Sequence, residues 1–144
     1  MTPAYDKALS LLALREHTEK EIRTKLQAKG YQAADISSAI ERLKGENALS
    51  EERFAESYIR SRMRRTPEGK EILIMRLISK GTPSSIAKSA VNEYFESGDY
   101  LEPLSRLYDS LLKKKGDEKA LAFLYRKGFS RSEISLAKER DDEK

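Results

Sequence analysis

The densest group of side chains able to do chemistry is Arg60-Ser61-Arg62-Met63-Arg64-Arg65. A guanidinium group is a flat, permanently charged fork that meets two phosphate or carboxylate oxygens at once, so the chemistry on offer is recognition of an anionic surface. At about 100° per residue in a helix, Arg53, Arg60 and Arg64 fall on one face, nearly opposite Phe54, Ala55, Tyr58 and Ile59. Lys70 follows, and Glu56 and Glu68 are the nearby acids. Arginines near a helix C-terminus also favour its dipole, and the residues weigh that reading and the recognition reading evenly. Two smaller basic groups are Lys113-Lys114-Lys115, and Arg126-Lys127 with Arg131. Asp109, Asp117 and Glu118 beside those lysines favour a solvated helix end. The candidate contacts for nucleic-acid phosphate or an acidic partner surface are therefore Arg53, Arg60, Arg64, Arg65, Lys70, Lys113, Lys114, Lys115, Arg126, Lys127 and Arg131.

Catalysis finds little support. Proton transfer, nucleophilic attack and metal binding each need several groups brought together, and His17 is the only histidine. It stands just before a helix cap, where a structural or solvent role is the expectation. The acids are scattered at helical spacings, and no phosphate-binding loop or dinucleotide fingerprint occurs. With zero cysteines, disulfides and thiolate metal sites are excluded. The chain is expected to be no enzyme, with no catalytic, cofactor-binding or metal-ligating residues.

What must position the basic residues is a repeat. Leu-x-x-Lys-Gly occurs at Leu26–Gly30, Leu77–Gly81 and Leu124–Gly128, the glycines 51 and 47 residues apart. A period near 50 implies one supersecondary unit copied along the chain. Leu ends an apolar stripe, Lys meets the negative end of a helix, and Gly takes the left-handed conformation that stops it. An isoleucine at Ile36, Ile86 or Ile134 then resumes a further helix.

Nine helices follow. Tyr5, Ala8, Leu9, Leu12 and Ala13 mark the first, which ends near Glu16. Thr18 and Glu21 form a capping box for the second. Ile36, Ile40 and Leu43 mark the third, which stops before Gly45. Ser50 caps the fourth, and Thr66-Pro67 is expected to begin the fifth with proline at its first position. Thr82-Pro83 is expected to do the same for the sixth, which ends at Ser97-Gly98. The seventh begins near Leu101 and the eighth at Asp117. Ser130 and Glu133 form a second capping box, and the ninth helix is expected to fray into Asp141–Lys144. The fifth, with Ile72, Leu73, Ile74, Met75, Leu77 and Ile78, is apolar nearly all round and is expected to be buried between units. The tyrosines at 5, 31, 58, 94, 108 and 125 are assigned to packing. The expected fold is all-α, three tandem three-helix repeats at 1–49, 50–98 and 99–144 in an elongated, curved array.

Composition agrees with such an array. Charged residues are 36% and apolar residues 38% of 144, with no Trp, which suits much solvated surface better than one thick core. The net charge of +4 divides as +1, +2 and +1 over the three segments, too even for a strong nonspecific nucleic-acid binder. Apolar runs fall far short of the ~18 residues that span a bilayer, and Met1-Thr2-Pro3 has no basic n-region or following hydrophobic signal core. A soluble cytoplasmic protein is expected, with no membrane partner.

In their order and spacing these residues resemble the RecX family, regulators of the RecA recombinase. Ala8-Leu9, Leu12, Arg15, Thr18, Glu21, Leu26 and Lys29-Gly30 fit R-x-x-[ST]-x-x-E-[LI]-x-x-[KR]-L and its surroundings. Phe54-Ala55, Tyr58, Arg62, Gly69, Leu77 and Lys80-Gly81 carry it through the second unit, and Phe123-Leu124, Arg126, Gly128-Phe129 and Ile134 through the third. Departures are Glu51 where Asp is usual, and Ile72 and Arg76 where the family tends to have a base and an acid. The resemblance implies three tandem three-helix bundles in a curved molecule that lies along the RecA filament on DNA and inhibits its activities, within homologous recombination, DNA repair and the SOS response. A noncatalytic monomer is expected, with the RecA filament on single-stranded DNA as its partner, lowered recombination and ATPase activity as its effect, and direct contact with DNA left open. Two other classes stay open: a sequence-tolerant nucleic-acid binder, because three-helix units imitate helix-turn-helix modules, and an architectural adaptor for an unrelated protein.

Overall fold

Each Leu-x-x-Lys-Gly segment closes a helix in the same way. The amides of Tyr31, Thr82 and Phe129 donate to the carbonyls of Leu26, Leu77 and Leu124 at 3.2, 3.0 and 3.1 Å. Gly30, Gly81 and Gly128 sit between at φ 89°, 108° and 91°, a backbone region that disfavours any residue with a Cβ. The three leucine side chains are fully buried. The motif therefore does two jobs at once, anchoring a core and ending the helix over it.

The computed structural model describes residues 2–142. Among them lie nine helices and no strand: α1 (Pro3–Leu14), α2 (Glu19–Ala28), α3 (Ala33–Gly45), α4 (Glu51–Arg65), α5 (Lys70–Lys80), α6 (Ser84–Glu96), α7 (Leu101–Lys115), α8 (Asp117–Arg126) and α9 (Arg131–Asp142). Starts follow the capping signals. Thr18 accepts from the Glu21 amide at 3.0 Å while Glu21 accepts from the Thr18 amide at 3.0 Å. Ser50 caps α4, and Ser130 and Glu133 form the second reciprocal box. Such caps are each worth about 1 kcal/mol.

Packing is local: α1 lies on α2 and α3, α6 on α4 and α5, and α7 on α8 and α9. Ile22, Leu26, Ile36, Ile40 and Leu43 fill a first core made by α1–α3 and the buried Leu49 after them. A second core, from Phe54 to Ala137, runs without a break through α4–α9.

Several expectations are corrected. Helix α1 ends at Leu14 rather than near Glu16, because Arg15 turns to extended backbone, φ −168° and ψ 167°. Pro67 does not open α5. That helix starts at Lys70 with Gly69 as its cap, because residues 66–69 are spent in placing Glu68, whose carboxylate is bound by two arginines. Pro83 is the residue before α6 rather than its first, since the Thr82 amide is already committed to closing α5. Helix α5 buries Leu73, Ile74 and Leu77 but leaves Met75 69% and Ile78 43% exposed, so it is not enclosed between units. Tyr5 and Tyr108 are buried with their hydroxyls on Glu46 and Asp117, whereas Tyr125 is largely exposed. Helix α9 continues to Asp142, and the last two positions of the expected frayed end lie outside the described residues.

Candidate functional site

Helix α4 carries the arginine cluster and splits it by function. Phe54, Ala55, Ile59 and Met63 form its buried stripe. Arg53, at the edge of that stripe, bonds Glu16 Oε1 through Nε at 3.1 Å and the Ala48 carbonyl through Nη2 at 3.2 Å. It ties α4 to the first bundle and is not part of a free basic face with Arg60 and Arg64. Arg62 donates to Glu68 Oε1 at 2.8 Å, and Arg76 grips the same carboxylate at 2.7 and 2.8 Å.

Glu68 is 1% exposed. Burial on its own raises a carboxyl pKa, but the hydrogen bonds and charges of Arg76 and Arg62 prevail and hold it below the ordinary value. Sequence reasoning missed this cluster, and the signal was present: Arg76 is one of the departures from the family pattern, and an extra base needs an acid. The other departure on α5, Ile72, packs its Cδ1 close to Gly128. Both fill structural places.

Arg60, Arg64 and Arg65 remain exposed and form no ion pair among the described residues. They stand on the last turns of α4, and the carboxylate that engages Arg62 is paired with Arg62 and Arg76. Lys70 is half-buried, its ammonium 5.6 Å from the Phe95 ring centre. In the third bundle, Lys113, Lys114 and Lys115 occupy the end of α7. The folding of α8 back on α7 brings Lys115 and Lys127 to the same ring, 5.1 and 5.6 Å from the centre of Phe123. Arg126 and Arg131 are exposed nearby in sequence. The basic candidates thus lie on α4 and where α7 meets α8, and the bond from the Gly69 amide to the Lys127 carbonyl brings Lys70 beside the second set.

His17 is 1% exposed. Its Nδ1 lies 2.9 Å from the Arg15 carbonyl and its Nε2 2.9 Å from Lys25 Nζ. Both contacts are satisfied by a neutral ring that donates from Nδ1 and accepts at Nε2, and burial holds its pKa below the ordinary value. An imidazole sealed and occupied at both nitrogens has a structural role. No group of His, Asp and Glu among the described residues could hold a metal ion, and no helix there is long and apolar enough to cross a membrane.

The described residues thus form helical bundles that carry exposed basic groups. Residues 4–43 match the first three-helix domain of RecX, and residues 50–91 match the second. The chain belongs to the RecX family. The regulatory protein RecX of Chlorobium phaeobacteroides is 35% identical over 136 residues, covering 91% of this chain and 88% of that one. RecX of Prosthecochloris aestuarii is 36% identical over 115 residues, 80% of this chain and 74% of that one. RecX of Geobacillus thermodenitrificans is 31% identical over 92% of this chain, which spans 52% of that longer relative. The crystal structure of RecX from Lactobacillus salivarius superposes with a TM-score of 0.78 and 26% identity over 96% of this chain and 94% of that one. A second crystal structure of a regulatory protein RecX gives 0.76 at 23% identity, over 94% of this chain and 71% of that one, and shows the shared fold. The all-α repeat fold is thus that of RecX regulators, a family of regulatory proteins.

Proposed function

We propose that this RecX-family protein is a noncatalytic regulator that lies along the RecA filament on single-stranded DNA and lowers its recombination and ATPase activities. The observation that carries the reading is the division of labour on α4. Arg53 and Arg62 are consumed by internal carboxylates, while Arg60, Arg64 and Arg65 stay exposed beside them. Three adjacent guanidinium groups left without internal partners suit phosphate or acidic protein surface. The second basic group, where α7 meets α8, lies in a different bundle. Contacts from more than one bundle of one chain can engage successive protomers of a filament, so that modest individual affinities combine. The protein acts as a monomer in the cytoplasm, and direct DNA contact is a minor part of its binding because the net charge is only +4.

The test is the single-strand-DNA-dependent ATPase of RecA from the same organism, measured at substoichiometric and equal ratios of the two proteins. Inhibition well below one regulator per recombinase, with the bare strand held in excess, is expected. An unchanged ATPase across that range contradicts the reading.

A further inference from the structure

The two junctions between bundles are built from the same element and differ in what surrounds it. At each, the beginning of one bundle's central helix meets the Lys-Gly turn of the next. Thr18 Oγ1 donates to the Lys80 carbonyl at 2.8 Å, and the Gly69 amide donates to the Lys127 carbonyl at 2.8 Å.

At the Gly69–Lys127 bond the contact is backbone against backbone, with a cleft of about 450 Å³ lined among others by Lys70, Glu71, Tyr100 and Glu133 beside it. A Cβ on Gly69 would lie 2.0 Å from the Gly128 carbonyl oxygen. Phe95 at the end of α6 stacks on Tyr100 at the start of α7, centroids 4.7 Å apart. The core of α4–α6 continues into that of α7–α9 as one cluster.

Around the Thr18–Lys80 bond there is no shared core. The cluster of α1–α3 is separate from the cluster of α4–α9. What crosses is made by side chains, namely polar bonds and the Lys20 methylenes that pack on Gly81. Glu51 Oε1 accepts from the Glu19 amide at 2.8 Å, and Arg53 reaches Glu16 and the Ala48 carbonyl. Three buried side-chain oxygens among the described residues lack any hydrogen-bond partner, and all three belong to this junction: Glu16 Oε2, Glu51 Oε2 and Thr82 Oγ1. Glu16 and Glu51 each spend one oxygen on a crossing bond and leave the other buried without a protein partner. Thr82 follows the turn on which Thr18 docks. A cleft of about 720 Å³, lined among others by Glu19, Lys44, Glu51, Gly81 and Ile86, opens between the same elements.

We propose that the chain articulates at one place, between the bundle α1–α3 and a rigid block α4–α9. Opening this junction exposes no shared core, gives three buried oxygens that lack a protein partner access to bulk water, and replaces charge-assisted contacts by hydration, so the two arrangements lie close in free energy. Opening the other junction splits a continuous core. Contacts between domains that are small and polar permit relative motion, and large apolar ones suppress it. The pivot is the peptide after Leu49, because Leu49 is buried in the first core while Ser50 already caps α4. The free protein therefore varies its curvature at one end only, and this holds whatever it binds.

Thiol-specific spin labels report the motion directly, since the chain has no cysteine of its own. Ser38, Ser89 and Ser110 are exposed and lie on α3, α6 and α7. The pair S38C/S89C spans the polar junction and S89C/S110C spans the apolar one. Distance distributions from pulsed electron resonance are expected to be at least about twice as wide for the first pair as for the second. Equal widths, or a wider second pair, overturn the proposal. Amide hydrogen exchange on the unmodified chain gives the same comparison without substitution. The Glu19 amide, held by Glu51 across the junction, is expected to exchange faster than the Gly69 amide, held by Lys127. The reverse order overturns the proposal as well.

Discussion

The Gly69 amide donates to the Lys127 carbonyl at 2.8 Å, and the two backbones approach so closely that no side chain fits between them. Gly69→Ala forces a Cβ into the Gly128 carbonyl, a clash that only separation of the bundles relieves. Overpacking of this kind costs about 3 kcal/mol or more. Gly30 holds the equivalent turn in the first bundle with open space around it at φ 89°, so Gly30→Ala suffers only the left-handed backbone, about 1 kcal/mol. Chemical denaturation of the two variants is expected to show this order, and equal losses contradict the docking role of Gly69.

Glu68 is the carboxylate on which Arg62 and Arg76 converge. Glu68→Gln leaves both guanidinium groups with a neutral acceptor and is expected to cost about 2 kcal/mol, below the usual loss for a fully buried pair because the arginines are partly exposed. Its folded pKa is depressed, so the ionised form stabilises the fold above the unfolded value of about 4.3 and that contribution is lost as pH falls through the folded value. Thermal melts are expected to fall more steeply below about pH 4.3 in the parent than in E68Q. Parallel curves contradict the assignment.

His17 has the opposite charge type and the same direction of pH effect. Burial depresses its pKa, so the folded state holds it neutral while the unfolded state takes up a proton below about pH 6.5. Stability is expected to decline as pH drops from about 6.5 towards the folded value, and His17→Gln, which keeps an acceptor for Lys25, is expected to flatten that part of the profile. A parent profile already flat between pH 5 and 7 contradicts a buried neutral ring.

Replacing Arg60, Arg64 and Arg65 together by alanine removes exposed charge without touching a core. Stability is expected to change by no more than about 0.5 kcal/mol, while filament affinity weakens and its logarithmic salt slope falls by about 3. Arg53→Ala is expected to do the reverse, lowering stability through loss of its bonds to Glu16 and Ala48. Calorimetry with a salt titration of binding separates the two, and an unchanged slope in the triple variant removes α4 from the interface.

Much of the fold was legible because its signals are local. Thr18, Ser50 and Ser130 cap helices through residues three positions on, and the repeated glycines end them through bonds within one turn. The start of α5 was not legible because Glu68 is claimed by Arg62 and Arg76, and that of α6 was not because the Thr82 amide closes α5 on Leu77 instead of opening the next helix. The same holds for the basic residues. Helical spacing put Arg53 on a face with Arg60 and Arg64, but the acid that captures it, Glu16, lies 37 positions away. Lys115 and Lys127 share a ring only after α8 has folded back on α7. Spacing along one helix reports direction, and it is silent on what another helix brings.

Binding to the assembled filament tests the central claim most directly. A fluorophore on S38C, at an exposed position of a chain otherwise without cysteine, reports affinity by anisotropy for RecA on single-stranded DNA and for the bare strand, near 0.15 M salt. The account predicts at least about tenfold tighter binding to the filament, equivalent to 1.4 kcal/mol. Equal affinity for the two, or tighter binding to the bare strand, contradicts it and makes this chain a nucleic-acid binder in its own right.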